Sequence, residues 1–364
     1  MSSYNPKVYH IQNSTNLYLE KQTPLEQLSK YSITGQSQKL KEQMLADQFI
    51  LNNIAIIGQW TTIYGAPNSG KTLITNWLLR EAIVSEVADG EMVFYINADD
   101  NFKGLVEKIE LAEEWGMHMI APHHNNFTVN QVPELMSRMA DSRSARGAIV
   151  ILDTLKKFTD LMDKRTASQF GVTARGFVSA GGTLIALAHT NKHLGVDGKA
   201  KYSGTSDIVD DSDCCFVIDK IAVDERFEVT THIVEFTNIK ARGDVSSKLG
   251  FSYEKKNGQP YSKLLDTVKC LDENGITKIK KQANIEVELD QDSEIIVTIR
   301  DLIKNGTVTK DKIIKGVHNQ TGESTVRIRK VLGKRTGDNY SLGHKWSQHK
   351  EAHNRHVFAI LPTP

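Results

Sequence analysis

The sequence predicts an α/β fold: a mostly parallel sheet covered by helices on both faces, followed by a small basic unit that is mainly helical. Three observations carry this. Short apolar runs (Trp60–Tyr64, Met92–Asn97, Gly147–Leu152, Thr183–Ala188 and Cys214–Ile218) alternate with helical stretches between about residues 50 and 270. Runs without polar alternation are strands buried on both faces, the mark of a parallel sheet with crossover helices. The first run enters its helix through Gly65-Ala66-Pro67-Asn68-Ser69-Gly70-Lys71-Thr72, the spacing of a phosphate-binding loop. Residues 301–364 hold 12 Lys/Arg against 5 Asp/Glu, whereas residues 1–300 hold 33 against 39.

Taken in order, residues 1–45 form a polar N-terminal arm, with helical periodicity from Leu25 to Ala46. A nucleotide-binding domain is expected over 46–271. Its helices are expected at Leu73–Val87, Phe102–Glu114, Val132–Ser142 and Ala167–Ser179, with a short strand at His118–Ala121. Glu228–Ile239 and Lys248–Tyr253 alternate like antiparallel strands, and Tyr261–Leu271 is expected to add another. The polar stretch 272–292, with Glu286, Glu288, Asp290 and Asp292, reads as a linker. Within 293–364, helices Ile295–Lys304, Lys310–Val317 and Ser324–Val331 precede an apolar strand, His356–Leu361. Three short helices followed by strands fit a winged helix-turn-helix.

Composition narrows the class. At 364 residues, with 39% hydrophobic and 24% charged content, the chain suits one domain of ordinary globular character plus a smaller one. No run of 18 apolar residues occurs, so no membrane partner is expected. The first residues lack a charged start leading into an apolar stretch. Three cysteines, Cys214, Cys215 and Cys270, are too few for a disulfide framework or a four-thiolate zinc site. A cytoplasmic location is the expectation.

Between a strand and a helix N-terminus, backbone N–H groups converge and the helix dipole favours an anion. Gly65 and Gly70 let the backbone wrap phosphates, with Pro67, Asn68 and Ser69 between them. Lys71 would reach the outer phosphates of ATP, and the Thr72 hydroxyl would ligate Mg²⁺. Asp153 ends an apolar strand and is the second candidate for Mg²⁺. Asp99 and Asp100 end another strand. Asp99 is the first choice for orienting the attacking water and Asp100 the second, with helix capping the alternative for either. His189 ends a neighbouring strand, where it would sense the γ-phosphate or be structural.

With these positions in hand, the chain resembles the RecA-like ring ATPases, and is most similar to the hexameric replicative helicases of the plasmid RepA and DnaB types. The resemblance spans about residues 50 to 253. It rests on Tyr95-Ile96-Asn97-Ala98-Asp99-Asp100, Leu152-Asp153-Thr154-Leu155, His189-Thr190-Asn191-Lys192, Gly204-Thr205-Ser206-Asp207 and Asn238-Ile239-Lys240-Ala241-Arg242-Gly243. It implies that Lys240 and Arg242 reach across a subunit boundary into a neighbour's ATP site, which makes the protein a homo-oligomer, on the family pattern a hexamer. One departure is that the family's acid is Glu, and Asp99 is one methylene shorter.

The same resemblance places single-stranded DNA against the loops at about 156–165 and 192–204. The second of these carries Lys192, Lys199 and Lys201 among glycines, as suits contact with a phosphate backbone. In the basic C-terminal unit, Arg327, Arg329 and Lys330 lie on the third helix and would meet duplex DNA, or a protein if the unit is a docking module. The implied function is an ATP-driven ring motor that translocates on single-stranded DNA and unwinds duplex in replication. Two alternatives stay open: a DNA-binding ATPase that does not unwind, such as a recombination mediator or loader, and a nucleotide-switched DNA-binding regulator.

Overall fold

A computed structural model describes residues 23–43, 48–190, 206–226, 228–351 and 356–362. The chain divides into two compact units, Met1–Ala46 and Asp47–Pro364. The first holds two short helices, α1 (Pro24–Ser29) and α2 (Ser37–Gln43). A capping box starts α1: the Thr23 hydroxyl accepts from Glu26 N–H, and the Glu26 carboxylate accepts from Thr23 N–H at 2.7 Å.

The second unit opens with the small ribbon β1 (Phe49–Leu51) and β2 (Ala55–Ile56). There follow β3 (Trp60–Gly65), α3 (Lys71–Val84), β4 (Val93–Asn97), α4 (Phe102–Trp115), β5 (His118–Ile120), α5 (Gln131–Asp141), β6 (Ile149–Asp153), α6 (Lys164–Ser179) and β7 (Thr183–His189). After α7 (Asp207–Asp211) come β8 (Cys214–Arg226), β9 (Val229–Lys240), β10 (Lys248–Lys256), α8 (Tyr261–Leu265) and β11 (Lys269–Leu271). These strands form one nine-stranded sheet in the order β11-β10-β9-β8-β3-β7-β6-β4-β5. The run from β8 to β5 is parallel throughout, and β9, β10 and β11 add an antiparallel flank.

The two faces of the sheet bury different halves of each strand, as a period of two requires. Ile63, Tyr95, Ile151, Ile185 and Phe216 face a core shared with α3 and α4. Tyr64, Ile96, Leu152, Ala186 and Val217 face one shared with α5 and α6. Both faces are therefore covered, and the C-terminal ends of the central strands are left to carry polar residues.

Beyond the sheet lie α9 (Glu273–Gln291), α10 (Ser293–Lys304), α11 (Lys310–Thr321), α12 (Thr325–Lys334) and an antiparallel hairpin of β12 (Trp346–Lys350) and β13 (His356–Ile360). Ile299, Ile313, Val317, Ile328, Leu332, Trp346 and Phe358 are packed into its separate core, and Thr309 bridges Val357.

Three expectations are corrected. Residues 272–292 form the helix α9, capped by Asp272, whose carboxylate accepts from Gly275 N–H at 2.6 Å. Its polarity reflects an exposed helix with Ile276 as its buried contact. Tyr261–Leu271 is a short helix, a turn and a three-residue strand, because Pro260 starts the helix and Leu265 is buried beneath it. The strand Trp346–Lys350 escaped notice because it has one buried residue, Trp346, followed by polar ones. Among the described residues, no helix is long and apolar enough to cross a membrane.

Candidate nucleotide site

β3 is buried along its whole length and ends at Gly65. The chain then turns through Asn68 (φ 59°) and Gly70 (φ 86°) into α3. Gly70 is the N-cap and offers no side chain to the first N–H groups of the helix, which remain available to an anion. A Cβ on Gly65 would lie 2.6 Å from Ser69 Oγ, and one on Gly70 would lie 2.8 Å from the Tyr253 ring, so the loop is tight enough to exclude side chains at both positions. Ser69 Oγ is buried without a hydrogen-bond partner.

The loop floors a cavity of about 490 Å³. Pro67 to Thr72, Asp99, Asp100, Asp153 and His189 all line it. Lys71 is buried, and desolvation lowers its pKa against the opposing pull of Asp153 and Asp99. Thr72 Oγ1 donates to Asp153 Oδ2 at 2.9 Å, and the Tyr95 phenol donates to the same oxygen at 2.7 Å. A hydroxyl and a carboxylate side by side are hard oxygen donors of the kind that hold Mg²⁺ together with phosphate oxygens, so the residues fit that ion. Asp153 is followed by a cis peptide bond to Thr154, whose hydroxyl donates to Leu187 C=O at 2.8 Å.

His189 Nε2 lies 3.6 Å from Asp99 Oδ2. Burial, then Lys71 and Lys156, lower the histidine's pKa from 6.5, so at neutral pH the ring is uncharged beside the carboxylate. Asp99 and Asp100 differ in freedom. Asp100 is tied to Lys108 and accepts from Asn97 Nδ2 at 2.6 Å, whereas the Asp99 side chain is 41% exposed. A carboxylate engaged by a cation and an amide is poorly placed to take a proton from water, which favours Asp99 for that task.

Lys240 and Arg242 do not join this cavity. Gly65 stands opposite Ile218 and Lys240 opposite Cys215, so Lys240 sits about 10 Å back along the strands at the usual rise. Both cations sit at the end of the strands opposite the loop. There Lys240 Nζ donates to Val209 C=O at 2.7 Å, and Arg242 lies 3.6 Å from Asp213 with half its side chain exposed. Lys192, Lys199 and Lys201 lie outside the described residues.

On α12, Arg329 and Lys330 are exposed, while Arg327 is engaged by Glu323, Asp292 and the Gln291 carbonyl. Arg335, just after α12, is buried and pairs with Glu288 and Asp292. Glu288 and Asp292 thus pair with Arg327, Lys334 and Arg335 of the basic segment that follows them.

Sequence reasoning gave no role to Tyr95, Lys108, Lys220, His232, Tyr253, Lys255 or Tyr261, of which all but Tyr95 line the cavity. The ring of Tyr253 stacks on His232 with centroids 4.8 Å apart, over the loop at Gly70. These residues come from the antiparallel flank and α8, which no local motif connects to the loop. The chain matches no protein-family model, and no curated protein matches it in sequence.

Proposed function

We propose that the chain is a RecA-like P-loop ATPase that works as a ring-forming motor, translocating on single-stranded DNA and separating duplex strands. The observation that carries the reading is the convergence of Lys71, Thr72, Asp153, Asp99 and His189 on one cavity at an uncapped helix N-terminus. In this reading the loop amides and Lys71 hold the phosphates of ATP. Thr72 and Asp153 would hold Mg²⁺, which offsets the charge of the phosphate oxygens. Asp99 accepts a hydrogen bond from the attacking water and orients it, with neutral His189 alongside.

The position of Lys240 and Arg242 supports shared sites. They lie too far from their own loop to act on it, yet Arg242 is half exposed at the opposite end of the strands. A head-to-tail ring would bring that end to the loop of the next subunit. The C-terminal helices and hairpin read as winged-helix-like, with Arg329 and Lys330 presented to duplex DNA.

The deciding experiment measures ATP turnover with and without single-stranded DNA, assembly state in Mg·ATP, and strand displacement on a forked substrate. The expected result is DNA-stimulated turnover by a ring that displaces the strand. Stimulation without displacement would leave a non-unwinding loader or mediator. Sequence-specific duplex binding that survives Lys71→Ala would point to a nucleotide-switched regulator.

A further inference from the structure

The buried stripe of α4 runs through Leu105, Lys108, Leu111, Ala112 and Trp115. One position of an otherwise apolar face is therefore given to a lysine. Its ammonium group pairs with Asp100 and lies 5.4 Å from the centre of the Tyr261 ring. Asp100 is its hydrogen-bond acceptor among the described residues, which leaves donors of the ammonium unused. A buried ion pair adds little net stability, because desolvation offsets the attraction. Packing therefore gives α4 no reason to keep a lysine in this stripe.

The cavity supplies one. Lys108 lines the same space as Lys71, and its charge is felt there, adding to the effects that lower the Lys71 pKa. Lys71 from the loop and Lys108 from the helix after β4 thus approach one cavity from different walls, with Lys220 and Lys255 also on its lining. Like charges converging on a concave site are stabilised by a polyanion.

We propose that Lys108 is a second phosphate-binding cation of the nucleotide site, shared between Asp100 and a phosphate oxygen of a bound nucleoside triphosphate. The proposal rests on the nucleotide reading above and extends it to a residue that no loop motif marks. Its consequence is a link between occupancy and the acid segment. A phosphate that draws on Lys108 loosens its hold on Asp100, the chain neighbour of Asp99.

The test is a titration of the full chain with fluorescent analogues of ATP and AMP. It compares the wild type with Lys108→Met, Lys108→Arg, Asp100→Asn, the double variant Asp100→Asn/Lys108→Met and Lys71→Ala. Loss of one charge-assisted contact should weaken ATP about tenfold in Lys108→Met and AMP by much less, with Lys108→Arg close to wild type. Asp100→Asn frees the ammonium and should bind ATP as tightly as wild type or more so. The double variant, which leaves no lone buried charge, should fold and still bind ATP weakly.

If the pair were only structural, Lys108→Met and Asp100→Asn would weaken ATP alike, and the double variant would recover; that pattern overturns the proposal. Wild-type binding that Lys71→Ala removes and Lys108→Met leaves intact would refute the role of Lys108 alone. A wild-type chain that binds no nucleotide would sink both readings.

Discussion

The phenol of Tyr95, buried behind the cavity wall, donates a 2.7 Å hydrogen bond to the carboxylate of Asp153, which lines it. Burial and the adjacent carboxylate raise the phenol's pKa well above 10.0, so it remains a donor throughout the working range. Tyr95 and Thr72 both donate to Oδ2, which fixes the rotation of Asp153 and directs its Oδ1 elsewhere. Tyr95→Phe removes one tether and should lower stability by about 1 kcal/mol. It should leave nucleotide binding in EDTA unchanged and raise the Mg²⁺ concentration needed for half-maximal turnover several-fold. Parallel Mg²⁺ titrations of the two proteins measure this, and identical midpoints would remove Tyr95 from any positioning role.

His189 should give the fold a pH dependence of definite sign. Its folded pKa lies below the ordinary 6.5 of imidazole, so the unfolded chain takes up its proton first as pH falls. Stability therefore decreases as pH drops below 6.5 and levels off once the folded ring is protonated as well. His189→Gln should flatten that part of the curve. Thermal melts of both proteins between about pH 7.5 and pH 5, the range over which imidazole titrates, measure the difference.

Arg242→Ala should leave nucleotide affinity and melting temperature nearly unchanged, since the side chain is half exposed and its buried partner Asp213 keeps the closer bond from Arg175 at 2.8 Å. Turnover should fall by about a thousandfold if the guanidinium stabilises charge in a neighbour's site. Mixtures with Lys71→Ala distinguish shared from private sites. At equal amounts, roughly a quarter of randomly formed interfaces would join an intact loop to an intact arginine and regain activity. Mixtures as inactive as either parent would show that the sites are not shared.

The basic C-terminal unit separates surface from core. Arg329→Glu with Lys330→Glu alters exposed positions of α12 and should weaken duplex DNA at least tenfold, lower its salt dependence, and leave the melt unchanged. Arg335→Ala should do the reverse. It removes a buried guanidinium that engages Glu288 and Asp292, and should destabilise the unit by about 3–5 kcal/mol. Binding isotherms and thermal melts of both variants measure the two effects.

What could be read from the residues followed the range of the interaction. The turn Gly65–Thr72, the apolar strands and their closing acids are local patterns, and the loop from Pro67 to Thr72 meets the acid and histidine candidates in one cavity. Lys108 was hidden because its meaning depends on facing a cavity, although a lysine in the Leu105–Trp115 stripe was the available signal. Tyr253 and His232 depend on three long antiparallel strands folding back beside the loop, a contact made at large sequence separation. The helix α9 was missed for a different reason: with Ile276 as its buried residue, it lacks the apolar face by which periodicity is recognised.

That helix is gripped at two points. Near its middle, Lys280 donates to both oxygens of Glu235 on β9 at 2.6 and 2.7 Å. Near its finish, Glu288 accepts from Lys334 at 2.7 Å. Its 19 residues form a rigid rod of about 28 Å. Because β9 also carries Lys240 at its far end, the ring proposed above would have one strand and one strut joining that cation to the basic helices.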